Sequence, residues 1–177
     1  MEARANRVTV FSEEQAAAIE QGVLDGLTKP GQGDILRVAD NSAAISLSIN
    51  LFDKNTTIYL DALSIEEEPG FEDVHLHGSP SSVQVTRNGK PVNVSAQDFA
   101  EILKKSGYKG GDIRLCSCST GYGDNSFAQQ LSEILGCKVK APDSDLFYIP
   151  NDGVLFVGSE FANTGSWRLF EKGVEIT

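Results

Sequence analysis

Apolar and polar positions repeat with two different periods along the chain, and each change of period marks a new element. Arg7–Phe11 reads as a short strand. Ser12–Leu27 reads as a helix: Ser12 stands at the N-cap, Gln15 follows at capping-box spacing, and Thr28-Lys29-Pro30-Gly31 ends the run. Three strand-like runs come next, Asp34–Ala39, Ala43–Leu51 and Thr56–Leu60. In the middle one Ile45, Leu47 and Ile49 alternate with Ser46, Ser48 and Asn50, as in a strand with one wet face. Glu66-Glu67-Glu68 ahead of Pro69-Gly70 reads as a solvated loop, open to a processing or substrate-facing role.

Glu72–His77 is the next strand, ended by Gly78-Ser79-Pro80. Val83–Thr86 and Pro91–Val94 flank Arg87-Asn88-Gly89-Lys90, and Asn-Gly between such runs predicts a hairpin. From Ser95 the period becomes 3.6. Ser95 caps, Asp98 sits at the third helical position, and Phe99, Ile102 and Leu103 form one stripe that stops near Gly107. Asp112–Cys118 is then a strand and Ser119–Asp124 a polar turn. A second helix follows, with Phe127, Ala128, Leu131, Ile134 and Leu135 on one face and Gly136 as its stop. Lys138–Ala141, Leu146–Ile149, Val154–Gly158 and Ser166–Phe170 read as strands. Strand, helix, strand, helix, strand over Glu72–Ala141 predicts right-handed crossovers in a mainly parallel sheet flanked by helices, with the hairpin inserted in the first crossover.

Composition narrows the function classes. The 177 residues are about one domain long, 40% hydrophobic with 17 glycines, and show no linker, repeat or low-complexity tract. We therefore expect one α/β domain, with residues 1–70 as an N-terminal helix and strands and 71–170 as the chemically able core. The net charge of −10 argues against a nucleic-acid partner and would suit a basic peptide or partner. No apolar run reaches the roughly 20 residues of a membrane helix, and no signal pattern opens the chain, so membrane insertion is not expected. Three cysteines, two of them at Cys116 and Cys118, predict free thiols in a reducing compartment rather than a disulfide framework. Cys-x-Cys without a second pair gives no zinc signature, and neither a metal nor a cofactor is expected.

In an open parallel sheet, reactive groups gather beyond the carboxyl ends of the strands. Alternation puts His75 and His77 on one face, with His77 last before the glycine turn, where Gly78 leaves space beside the imidazole. Cys118 ends its strand facing the loop, and Cys116 lies two residues back within the sheet. Backbone N–H groups of the turn after Cys118 would favour its thiolate and hold an oxyanion. A nearby imidazole would take the thiol proton and later protonate the leaving group. Against this stands the ordinary role of a strand-end cysteine as a small buried apolar residue, and of a histidine before a turn as a hydrogen-bonded surface group. Cys137 and Cys116 read as packing.

His-Gly after an apolar strand, followed in order by an apolar strand ending in Cys, resembles the caspase-like cysteine peptidases: caspases, gingipains, separase-type domains and the self-cleaving peptidase domains of large bacterial toxins. Ser117–Gly121, Phe127–Leu131, Leu135-Gly136 and Ala141-Pro142 resemble, more specifically, a domain at the C-terminal end of bacterial polymorphic toxins and large adhesins. Gly165-Ser166-Trp167-Arg168-Leu169 is similar to the close of a related module in bacterial surface proteins. The resemblance spans roughly Val74 to Leu169. It implies a caspase-like three-layer sandwich, His77 as base or acid, Cys118 as nucleophile, and an oxyanion site on the backbone of Gly78, Cys118 and Ser119. It also implies a peptide or protein substrate, a possible immunity protein as partner, and delivery as part of a larger toxin into a reducing cytoplasm. His75 competes with His77 for its role. Asp143, Asp145, Glu160 and Trp167 could line a pocket for a basic side chain, or be ordinary turn acids and a core tryptophan. The alternatives are an inactive caspase-like binding module and another thiol enzyme, a deamidase or acyltransferase.

Overall fold

The computed structural model describes residues 34–38, 46–105, 108–149, 151–159 and 162–177. The strand expected at Arg7–Phe11, the helix at Ser12–Leu27 and the pocket candidate Glu160 lie outside the described residues. The fold is mixed α/β. Strands β1 (Asp34–Val38), β2 (Ser46–Asn50), β3 (Glu72–His75), β6 (Ile113–Cys116), β7 (Lys138–Pro142), β10 (Trp167–Glu171) and β11 (Val174–Ile176) form one sheet in the order 1-2-3-6-7-10-11. The four central strands, β2, β3, β6 and β7, run parallel. Antiparallel pairs finish both margins: β1 on β2 at one side, β10 on β7 and β11 on β10 at the other. Two further hairpins stand apart from this sheet, β4 (Val83–Arg87) with β5 (Lys90–Val94) and β8 (Asp145–Ile149) with β9 (Val154–Gly158).

Asn-Gly predicted the β4–β5 hairpin correctly. Asn88 and Gly89 both take left-handed φ, 53° and 71°, the conformation a two-residue primed turn requires. Lys172 and Gly173 do the same, at 50° and 81°, between β10 and β11. That last strand was not foreseen, because three residues carry too short an alternation to read. Helices α2 (Ala96–Lys105) and α3 (Phe127–Leu135) also follow expectation. Ser95 Oγ accepts from the Asp98 N–H at 3.2 Å, Ser126 Oγ accepts from Gln129 at 3.3 Å, and Gly136 closes α3 at φ 70°. Both helices pack on one face of the sheet, where Phe99, Leu103, Phe127 and Leu131 meet Val74, Leu76, Leu115, Val139 and Phe170. Each such fully buried side chain contributes about 1.5–3 kcal/mol of transfer free energy.

Three expectations change. Thr56–Leu60, read as a strand-like run, is instead the start of helix α1 (Thr57–Leu63). Tyr59 and Ala62, three apart, are the residues it buries, and packing against Phe52 and Tyr148 overrides local strand preference. Asn50, assigned to a wet face, is buried because α1 covers it: its Nδ2 donates to the Tyr59 carbonyl and its Oδ1 accepts from the Phe52 N–H. Glu68 is not a freely solvated loop acid. It accepts from Lys140 Nζ at 2.7 and 2.8 Å and pairs with Arg114 at 3.4 Å, which ties the acidic loop to the sheet.

Candidate active site

The parallel register sets residues of β3 and β6 side by side: Asp73 beside Arg114 and His75 beside Cys116. Alternation keeps Asp73, His75 and His77, like Arg114, Cys116 and Cys118, on the face away from α2 and α3. That face is covered by Leu146, Tyr148 and Val157 of the β8–β9 hairpin with Trp167 of β10 on one side, and by Phe52 and Tyr59 of α1 and the segment before it on the other. Two polar rungs therefore climb the sheet, and His77, exposed, and Cys118, partly buried, follow them in the turns beyond.

The strands end one rung earlier than expected. β3 stops at His75 and β6 at Cys116, so His77 and Cys118 stand in the turns just beyond. The ladder breaks because both chains find other partners. The Gln84 N–H donates to the His77 carbonyl at 2.8 Å, Gly78 bridges to Val83, and the Ser119 N–H donates to the Ser144 carbonyl at 2.8 Å. The two turns nevertheless meet. A Cβ on Gly78 would overlap Ser117 Oγ and come within 2.7 Å of Thr120 Cγ2 and 3.2 Å of the Cys118 carbonyl. The turn after Cys118 is held in place by Arg168, whose Nη1 donates to the carbonyls of Gly121 (2.6 Å) and Gly123 (2.9 Å).

His77 is exposed, and its ring meets Phe52 edge-on with centroids 4.8 Å apart. No hydrogen bond joins it to Cys118 Sγ in this structure. Cys118 is partly buried, and its Sγ accepts from the Leu146 N–H at 3.3 Å. Burial pushes this thiol up, the Leu146 N–H pulls it down by less, and the Asp145 carboxylate adds to the rise. The expected thiolate is therefore not the resting form. Hydrogen bonding favours it, but desolvation wins.

One rung below, His75 and Cys116 are fully enclosed. Burial, with the charge of Arg114 adding to it, pushes the His75 pKa down to about 3, and burial pushes the Cys116 thiol far up. Both are neutral at ordinary pH. Tyr148 donates its hydroxyl to the Cys116 carbonyl at 3.1 Å, so its oxygen is left to accept from His75 Nδ1 at 3.0 Å. That exchange satisfies buried polar groups and leaves no base open to a substrate. Donor atoms of Asp73, His75 and Cys116 lie within 4.8 Å of one another, close enough to share a metal ion. Both Asp73 oxygens, however, already accept from Arg114, and a cation there would face a guanidinium. The set serves an ion pair. Burial opposes the guanidinium's charge, and the hydrogen bonds to Asp73 together with the surrounding negative charge of Asp73 and Glu68 outweigh it.

The remaining predicted residues divide. The Gly78 N–H has no backbone acceptor among the described residues, the Cys118 N–H bonds its own thiol and helps pull it down, and the Ser119 N–H is spent on Ser144 and leaves the oxyanion set. Ser119 holds a left-handed φ of 56°, which turns the chain sharply away from Cys118. Asp143 Oδ1 accepts from the Ser166 N–H at 2.8 Å and so stabilises a turn. Trp167 packs in the cluster with Cys116, Leu146 and Val157, and Lys140 Nζ sits 5.5 Å from its ring centre. Of the described pocket candidates, Asp145 alone stays exposed beside the thiol. Cys137 packs in the main core, as expected. Phe52, Leu146, Tyr148 and Ser117 went unread as site residues. Only the alternation of Leu146 with Tyr148 hinted that two residues of one strand would face the same partner.

Among the described residues no helix is long and apolar enough to cross a membrane. Comparison with curated proteins gives no match, and neither does comparison with solved structures. A family model described as a domain of unknown function, DUF8616, matches residues 47–157, more than half of the chain and inclusive of His77 and Cys118, and the chain belongs to that family.

Proposed function

We propose that this protein is a cysteine-dependent hydrolase with a caspase-like three-layer architecture, acting on a peptide or protein as the effector or self-processing part of a bacterial toxin. The observation that supports the reading is the seating of Gly78, the residue after His77, against the turn that carries Cys118. His77 takes the Cys118 proton as the sulfur attacks the scissile carbonyl. The backbone N–H groups of Cys118 and Gly78 receive the oxyanion. His77 then gives the proton to the leaving amine and activates the water that releases the acyl group. Because the resting thiol is protonated, this is general-base chemistry and not attack by a standing thiolate. Asp145, exposed near the thiol, would meet a basic side chain, and an immunity protein would act by covering these turns.

The test is turnover of a peptide library by the wild-type chain and by Cys118→Ala and His77→Ala, with circular dichroism to check the fold. Loss of cleavage in both variants is the expected result, and full activity in folded Cys118→Ala sinks the reading. A second reading, a non-catalytic binding module, draws support from the engagement of Cys118 Sγ by Leu146. It predicts that neither substitution changes anything. Mass analysis of products separates peptide cleavage from side-chain deamidation or acyl transfer.

A further inference from the structure

Ser117 sits between the two candidate catalytic turns but on the other face of the sheet. It is 1% exposed, and its Oγ has no hydrogen-bond partner among the described residues. A buried hydroxyl without a partner costs free energy that an alanine would avoid. What the oxygen does have is a place: it occupies the space a Cβ on Gly78 would need. Thr120 completes the socket. Its methyl group would lie 2.7 Å from that Cβ, while its Oγ1 donates to the Ser117 carbonyl at 2.9 Å. Gly78 is not among the left-handed residues, so space and not backbone conformation is what requires glycine there.

We infer that Ser117 is a positioning residue for the His77–Cys118 pair: its side chain is a spacer that sets how closely the Gly78 turn approaches the Cys118 turn. The inference rests on the functional reading above. Ser117 alternates away from Cys118 and is sealed from solvent, so it cannot touch a substrate. It acts through the separation of the two turns. Without the oxygen Gly78 gains room to shift, and His77 shifts with it. With a methyl at position 78 the turns are forced apart.

The experiment compares wild type with Ser117→Ala, Gly78→Ala and the double variant, reading melting temperature, kcat and KM on a cleaved peptide, and the pH profile of iodoacetamide labelling at Cys118. Ser117→Ala should melt at the same temperature or higher, yet lose about tenfold in kcat with KM unchanged, because sub-ångström misplacement of a catalytic pair is costly. Gly78→Ala should lose more, and adding Ser117→Ala to it should restore part of the loss by vacating the contested space. A double variant no better than Gly78→Ala, or a Ser117→Ala loss that merely follows lowered stability, overturns the inference. Absence of any Cys118-dependent turnover in the wild type would count against the functional reading. In that event the labelling profile decides: in Ser117→Ala it should move toward that of His77→Ala, and a profile identical to wild type overturns the spacer role.

Discussion

Leu146 donates its backbone N–H to the Sγ of Cys118 across 3.3 Å, which binds the β8–β9 hairpin to the candidate nucleophile. Two neighbouring contacts extend this into a clamp, with Ser144 accepting from Ser119 and Tyr148 donating to Cys116. The hairpin thus both shields the thiol and supplies a hydrogen-bond donor to it.

Shielding has a consequence for reactivity. Burial, with the Asp145 charge adding to it, holds the Cys118 thiol up, so iodoacetamide should label it slowly at neutral pH and quickly only above the ordinary thiol pKa of about 8.5. Asp145→Asn removes a negative charge beside the sulfur and should move the labelling curve to lower pH. Rapid labelling at pH 6–7 that is indifferent to Asp145→Asn would contradict this account.

His75 makes the fold sensitive to acid. Its folded pKa of about 3 lies below its ordinary 6.5, so the unfolded chain binds the proton more readily. Stability is full above pH 6.5 and is lost as pH falls toward 3, a difference on the order of 5 kcal/mol for a shift of that size. In urea titrations across this window, His75→Asn should flatten the pH dependence while leaving a polar partner for Tyr148. An unchanged slope in the variant would remove His75 as the cause.

The Asp73–Arg114 pair should behave as a buried ion pair does. Arg114→Met leaves a carboxylate that is 2% exposed without its partner, and should cost about 3–5 kcal/mol in urea unfolding. Adding Asp73→Asn should recover much of that, since the stranded charge is the larger part of the cost. A single-variant loss below about 1 kcal/mol would show that water or Lys140 replaces the partner with ease.

Local pattern and tertiary structure each decided identifiable parts of this protein. The parallel β3–β6–β7 core, its two helices with their caps and the Asn-Gly hairpin are legible in the sequence, because period, caps and turn residues act within a few positions. The same alternation placed His75 with His77 and Cys116 with Cys118. It could not say that the ladder would break one rung early, since the bonds that break it, from Gln84 to His77 and from Ser119 to Ser144, depend on how the chain folds back beyond each strand. The helix at Thr57–Leu63, the buried Asn50 and the loss of Ser119 as an oxyanion donor have the same origin: contacts made across the fold outbid local preference. Solvation went furthest beyond reach of the sequence. Which histidine is open and which is sealed, and whether the thiol is primed, depend on what the β8–β9 hairpin covers, and burial is a property of the assembled layers alone.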